Sequence, residues 1–418
     1  MHHEIALIST VAVGLVYALI GGYIANRLHL PPLVGYLLAG IVVGPFTPGF
    51  VADAKLAPQL AEIGVILLMF GVGLHFSVRD LLAVRNIAVP GALVQILATV
   101  ALSYGLTRIW GWSTGAGLVL GLALSVASTV VLLRALETQG LLNAVSGRIA
   151  VGWLVVEDLF TVLMLVLLPA LATLLAGQPV DAEAANQGEW HLLLALGIAL
   201  GKLVAFVLFM LLVGARLLRW VLERVAATGS RELFTMAIVA AAIGIGFGAA
   251  EGFGLSFALG AFFAGVIVGE SGHGDRATAE LRPIQDIFNA LFFVAIGMLF
   301  DPSILVREPF TELAVVLVIV LGKSIATFLI VLLLRQPIGT ALIVAAGLAQ
   351  IGEFSFILAE LGIGLHLLPP QSQSLIVAGA LISIALNSFL LRGAQAIASR
   401  RLDPENTTDL ARGRREMP

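Results

Sequence analysis

The chain has 418 residues, of which 59% are hydrophobic and 12% charged, with a mean hydropathy of +1.04. That balance excludes a soluble enzyme and describes a polytopic membrane protein. A net charge of -3 is too weak to predict a partner, no basic stripe points to nucleic acid, and zero cysteines exclude disulfides and thiolate metal sites.

Apolar runs of the length a bilayer requires give thirteen candidate helices. They lie near 5–25, 31–49, 58–76, 87–109, 113–137, 147–175, 191–218, 231–250, 253–269, 283–300, 311–334, 338–364 and 371–392. The first has no positive leader and no small-residue cleavage site, so it reads as a retained helix. The 45 glycines suit close helix packing and broken helices in lipid.

Charge checks the count independently. With the N-terminus outside, the inward loops carry Arg27, Arg79, Arg85, Arg134, Arg148, Arg216, Arg219, Arg224, Arg231, Arg276, Arg282 and Arg335, with six further arginines from Arg392 to Arg415. The outward loops carry Lys55, Arg108 and Arg307, and the longest of them, near 176–190, holds Asp181, Glu183 and Glu189 with no base. Eighteen against three is a strong positive-inside bias, with the C-terminus cytoplasmic. Lys202 and Lys323 fall inside predicted helices.

The chain repeats itself. GYLLAGIVVG at Gly35 to Gly44 matches GAFFAGVIVG at Gly260 to Gly269, an offset of 225. LLMFGVGLHF at Leu67 to Phe76 matches LFFVAIGMLF at Leu291 to Phe300 at an offset of 224, which also places Glu62 opposite Asp286. GLALSVAS at Gly121 to Ser128 meets GLAQIGEF at Gly347 to Phe354 at an offset of 226. The nearly constant shift indicates duplication, with repeat one at 5–175, a linking helix at 191–218 and repeat two at 231–392. Corresponding helices are seven crossings apart, an odd number, so the copies have opposite orientations, as in secondary transporters with a midplane site.

Helices five and twelve are the natural broken helices. Ser125, Ser128 and Thr129 interrupt the first, and Gln350, Gly352, Glu353 and Ser355 the second. Freed backbone groups there would line a cavity, which lipid would not tolerate. The ordinary alternative is hydroxyls bonded back to helix carbonyls and glycines at tight contacts. In helix six, Glu157 and Asp158 sit side by side in an apolar stretch. An acid at the centre of a membrane helix costs about 3 kcal/mol, so the pair cancels the insertion gain of roughly ten good apolar residues. The plain reading is a pair neutralised to stabilise packing; the functional one is a cation and proton site.

Several motifs together resemble the membrane domain of Kef-type transporters of the monovalent cation:proton antiporter-2 family, in the subgroup with a Glu-Asp pair. They are LPPLVGYLLAGIVVGP, LAEIGVILLMFGVGLHF, ASTVVLLRALE followed by GRIAVGWLVVEDL, the Lys323 helix, and GLAQIGEFSFILAELG, and the likeness covers residues 5 to about 395. The resemblance implies an all-α fold similar to sodium/proton antiporters, with two inverted repeats, crossed discontinuous helices, a dimerisation domain and elevator-like movement. It places the main ion-binding carboxylate at Asp158 and pairs Glu157 with Lys323. It further implies exchange of K+ or Na+ for H+, K+ favoured, in a homodimer of the bacterial inner membrane, with no cofactor. Kef-type proteins commonly continue into a nucleotide-binding regulatory domain. No Gly-rich strand-turn-helix fingerprint follows residue 395, so that domain is expected to be absent and 396–418 to form a polar cytoplasmic tail.

The chemistry expected is competition of a proton and a dehydrated cation for Asp158, with hydroxyls and exposed carbonyls of helices five and twelve as further ligands. Neighbours on a helix point about 100 degrees apart, which assigns Asp158 to the cavity and Glu157 to Lys323. Glu62 and Asp286 would line access paths or anchor the helices. Glu353 is read as neutralising a half-helix N-terminus rather than binding the ion. His75 reads as interfacial, and Lys202 as a hydrated lysine without a transport role. The competing functions are a gated passive K+ efflux pathway, a non-transporting sensor and, weakest, an intramembrane hydrolase, for which no nucleophile and base pair is present.

Overall fold

The structure is a computed structural model that describes residues 2–47, 56–75, 78–142, 144–175, 194, 197–198 and 201–400. The outward loop near 176–190, Lys55, the side chain of His75 and the tail after 400 lie outside the described residues. Among those described, all regular structure is helical.

The elements are α1 (His2–Arg27), α2 (Pro32–Val43), α3 (Ala57–His75), α4 (Val78–Ile109), α5 (Thr114–Ser125), α6 (Thr129–Thr138) and α7 (Val145–Leu175). They continue with α8 (Gly201–Ala227), α9 (Arg231–Phe253), α10 (Phe257–Val268) and α11 (Gly274–Met298). After the single turn Ile304–Arg307 come α12 (Pro309–Leu333), α13 (Ile338–Gly347), α14 (Glu353–Gly364) and α15 (Ser372–Arg400). By length and composition nine helical stretches of the described residues can cross a membrane, and Pro32–Val43, Gln59–Leu74 and Ile338–Gly347 are shorter apolar helices.

Each apolar run overlaps a helix, but several helices outrun the hydropathy. The helix α4 begins at Val78 rather than 87, α8 ends at Ala227 rather than 218, α11 begins at Gly274 rather than 283, and α15 ends at Arg400 rather than 392. The added turns carry Arg85, Arg219, Arg224, Arg276, Arg282 and Arg400. Apolarity reports the thickness of the bilayer, whereas a helix stops at a capping or breaking residue. Thus α9 starts where Ser230 Oγ accepts from the Leu233 N–H at 3.2 Å and ends at Gly254, whose φ of +67° suits glycine.

The packing carries the duplication. In the α2–α11 contact, a Cβ on Gly40 would lie 2.8 Å from Gly297 Cα; in the α3–α10 contact, one on Gly73 would lie 3.0 Å from Gly265 Cα. Gly40 maps onto Gly265 at the offset of 225, and Gly73 onto Gly297 at 224. Each contact is therefore the repeat-related copy of the other. Small residues let helix backbones approach, and backbone-to-backbone contact drives packing in lipid.

Two packing groups result. The helices α1, α2, α3 and α8 to α11 pack mainly with one another, and α4 to α7 with α12 to α15. Phe292 and Phe293 of α11 meet Phe356 of α14 between the groups, with ring centroids at 6.4 and 6.5 Å. An apolar gap of about 360 Å³, lined by Leu93, Leu159, Phe160, Leu163, Leu203 and Phe263, separates α4 and α7 from α8 and α10.

Candidate ion-binding site

Helix five breaks after Ser125, where Val126 takes φ -95° and ψ 126°, and restarts as α6 with Ser128 as N-cap, its Oγ accepting from the Val131 N–H at 3.3 Å. Helix twelve stops after Gly347 and restarts as α14 behind an extended Gly352. The two breaks cross. Gly352 donates its N–H to the Val126 carbonyl at 3.2 Å, and the Gln350 amide grips Ser128 from both sides. Its Oε1 accepts from the Ser128 N–H at 2.9 Å and its Nε2 donates to the Ser128 carbonyl at 3.1 Å. Ser355 Oγ donates to the Ala123 carbonyl. The second break thus satisfies the backbone groups that the first one frees.

The acids converge on this crossing. Glu157 Oε2 accepts from the Ala127 N–H at 2.8 Å, Asp158 Oδ2 from Thr129 Oγ1 at 3.0 Å, and Glu353 Oε2 from Ser128 Oγ at 3.1 Å. Glu353 opens α14, so it faces the positive end of that half-helix, and Thr129 opens α6 in the same way. All three carboxyls are buried, and each retains one oxygen with no hydrogen-bond partner: Glu157 Oε1, Asp158 Oδ1 and Glu353 Oε1. Asp158 interacts electrostatically with Glu353 as well as with Glu157. Glu353 thus stands at the half-helix end, as the sequence reading has it, and its carboxyl also lies close enough to act on Asp158.

Glu157 and Lys323, matched by charge in the sequence, interact electrostatically without forming a contact ion pair. Lys323, fully buried on α12 beside the π-helical turn Val318–Gly322, donates Nζ to the Gln350 carbonyl at 3.2 Å, and it feels Glu157 only as a nearby charge. The adjacent acids diverge as neighbours on a helix do, Glu157 to the Ala127 N–H inside the break and Asp158 to the Thr129 hydroxyl at the start of α6. Ser125 follows the ordinary reading: its hydroxyl returns to the Leu122 carbonyl at 2.7 Å.

Nor are the carbonyl ends of the half-helices open. Gln95 Nε2 holds the Ser125 carbonyl at 3.1 Å, and Asn387 Nδ2 holds those of Ala346 and Gly347 at 2.7 and 3.2 Å. Sequence reading missed both amides. The available signal was their polarity inside the apolar runs of helices four and thirteen. Among the side chains at the crossing, the oxygens left without a hydrogen-bond partner are carboxylate oxygens, which fits a hard monovalent cation or a proton.

Glu62 and Asp286 are exposed and lie away from the crossing. Glu62 on α3 interacts electrostatically with Glu360 on α14, while Asp286 on α11 and Arg134 on α6 both act on Tyr36 of α2. At the repeat offset of 226, Glu360 maps onto Arg134. The pairs Glu62 with Glu360 and Asp286 with Arg134 are thus related by the repeat in sequence, acid with acid in one and acid with arginine in the other. Lys202 places Nζ beside Gly254, the end of α9, where 3.2 Å would separate it from a Cβ.

The comparisons with known proteins agree with this geometry. The sodium/hydrogen exchanger transmembrane family matches residues 15–393. A putative cation/proton antiporter, YbaL, of Escherichia coli is 55% identical over 390 residues, 93% of this chain and 69% of its own. K(+) efflux antiporter 4 of Arabidopsis thaliana is 30% identical over 414 residues, covering 97% of this chain and 68% of its own. Among solved structures, the sodium proton antiporter MjNhaP1 of Methanocaldococcus jannaschii superposes with a TM-score of 0.69 over 95% of this chain and 99% of its own, at 18% identity.

Proposed function

Because the chain belongs to the sodium/hydrogen exchanger family, we propose that it exchanges a monovalent cation for protons at the crossing of its two broken helices. The observation that carries this reading is the set of three buried carboxyls with one free oxygen each around the crossing. Three carboxylates beside one lysine leave negative charge that a buried site holds only at a cost of several kcal/mol per uncompensated ion. A proton or a metal cation relieves that cost, and both compete for the same oxygens. If the loaded site crosses the membrane in either form and the empty charged site does not, competition alone enforces exchange.

Asp158 is the central ligand in this proposal, with Glu353 and Glu157 sharing the charge and Thr129 orienting Asp158. K+ is the favoured ion, supported by relatives named as K(+) efflux antiporters. Movement is elevator-like: α4 to α7 and α12 to α15 slide against the remaining helices across the apolar gap and the Phe292, Phe293 and Phe356 contact. The transport unit spans 1–395, the N-terminus lies outside, the C-terminus is cytoplasmic, and two copies form the working protein. The physiological membrane is the bacterial inner membrane.

The test is reconstitution in liposomes with a trapped pH-sensitive dye and an imposed proton gradient, adding K+, Na+ or Li+ to wild type and Asp158→Asn. Cation-dependent collapse of the gradient in wild type alone supports coupled exchange at Asp158. Equal responses place the site elsewhere, and tracer flux without a pH response identifies a passive pathway.

A further inference from the structure

Among the described residues a further acid is buried outside the crossing. Glu312 lies in the first turn of α12 with 4% of its surface exposed, and neither Oε1 nor Oε2 has a hydrogen-bond partner. It shares a stripe with the fully buried Val315 and Ile319, and the stripe faces α15. A Cβ on Gly379 would lie 2.9 Å from Ile319 Cδ1, 3.2 Å from Val315 Cγ1 and 4.0 Å from Glu312 Oε1. Lys323 stands roughly 16 Å further along α12, beyond the π-helical turn, so Glu312 is separate from the acidic centre and the function proposed there makes no use of it.

No charge answers this carboxyl. The preceding turn carries Arg307 and Glu308, α4 carries Tyr104 and Arg108 beyond the Leu102 side chain that meets the π-helical turn, and α15 has no titratable residue before Arg392. None of these makes an ion pair or a hydrogen bond with Glu312. A carboxylate deprived of water, donor and counter-charge is far costlier than the neutral acid.

The duplication shows that packing does not call for an acid here. At the offset of 226 Gly379 maps onto Trp153, and at 224 Val315 maps onto Gly91 and Glu312 onto Ala88. The joint of α12 with α15 is therefore the copy of the joint of α4 with α7. In that first copy the Trp153 ring fills the space beside Gly91, and the buried Ala88 stands where Glu312 stands in the second. Apolar side chains alone close the first joint.

We propose that Glu312 is a second proton-binding site, whose proton keeps the start of α12 closed against α15. A hard cation takes several oxygen ligands, and Val315, Ile319 and Gly379 offer no side-chain oxygen, whereas a proton needs only the carboxylate itself. Loss of that proton leaves a charge the joint cannot hold, and the contact then opens to water. The site stands whether or not the crossing exchanges ions.

Infrared spectra of the full chain in lipid at neutral pH test it, comparing wild type with Glu312→Gln. The expected result is a C=O stretch of a neutral carboxylic acid that is lost in the variant, with the same loss when the comparison is repeated in Asp158→Asn. Loss of a carboxylate band instead, identical spectra, or a difference that vanishes in Asp158→Asn overturns the proposal. Thermal melting reads the closing role. The folded chain keeps a proton that the unfolded chain releases, so rising pH favours unfolding, and between about pH 6 and 9 wild type should lose a few degrees of melting temperature relative to Glu312→Gln. The acids of the crossing are common to both chains and drop out of the comparison. A gap in melting temperature that stays constant with pH overturns the closing role. If Glu312→Gln does not fold, Glu312→Leu, which restores the apolar character of the first joint, gives the same two comparisons.

Discussion

Gly352 and Ser128 lie back to back where the two breaks cross, and a Cβ on Gly352 would stand 2.6 Å from Ser128 Cα. The Gly352 backbone is extended, with φ -120° and ψ -168°, so glycine is required there for space rather than for conformation. Gly352→Ala should push the breaks apart at a cost of about 1–3 kcal/mol, seen as a lower melting temperature in detergent together with loss of exchange. Gly105→Ala, which meets nothing within 4 Å, is the matched control and should melt like wild type. Equal melting of the two variants would mean that the crossing is looser than this contact requires.

Lys323 serves the second break through the Gln350 carbonyl and Glu157 through its charge. Lys323→Ala removes both at once. The expected outcome is a shifted pH profile of exchange and a loss of roughly 1–3 kcal/mol in stability, the usual cost of leaving a buried group without its partner. Thermal melting and dye-loaded liposomes measure the two effects separately. A profile that superimposes on wild type removes Lys323 from the proton chemistry and leaves it a structural tie.

Asn387 closes the carbonyl end of α13 by donating to Ala346 and Gly347. Asn387→Leu keeps the volume but strands those carbonyls, with an expected cost of about 1–3 kcal/mol. Its pH midpoint should match wild type, because Asn387 is not hydrogen-bonded to any of the three acids. A displaced midpoint with unchanged melting would instead join Asn387 to the ion site.

Glu62 and Glu360 act on each other electrostatically from opposite packing groups. Like charges lining an approach raise the local concentration of cations, an effect that salt screens over about 10 Å at 0.1 M. Glu62→Gln with Glu360→Gln should raise the apparent KM for the cation several-fold at low ionic strength and leave it nearly unchanged at high ionic strength, with the maximal rate preserved. A KM equally raised at both salt levels would show that these acids act by contact rather than at a distance.

The features that hydropathy and repetition encode were readable in the residues. The offset near 225 pointed to breaks in helices five and twelve, which meet in space; the contacts of Gly40 with Gly297 and of Gly265 with Gly73 obey the same offset but were not foreseen from it. Glu157 and Asp158 stood out because charge in an apolar run has few explanations. What could not be read was connectivity between side chains. Lys323 was matched to Glu157 by sign, yet a buried ammonium is also satisfied by a carbonyl, and here that carbonyl belongs to Gln350. Gln95 and Asn387 are uncharged, so hydropathy passes over them, and the helix-end carbonyls they hold lie 30 or more residues away. Helix ends erred for a separate reason: Arg276 and Glu280 are good helix formers outside lipid.

The meeting of Phe292 and Phe293 with Phe356 bears on how such a molecule responds to its surroundings. Rings in edge and tilted contact have no donor or acceptor that must be released before they shift, so sliding them trades one set of dispersion contacts for another of similar depth. In the elevator-like movement proposed above, the resistance resides less in bonds to be broken than in the acyl chains that would rearrange around the displaced helices. Turnover should accordingly track bilayer thickness and fluidity more steeply than it tracks the strength of any polar contact, making the lipid a kinetic component of the machine.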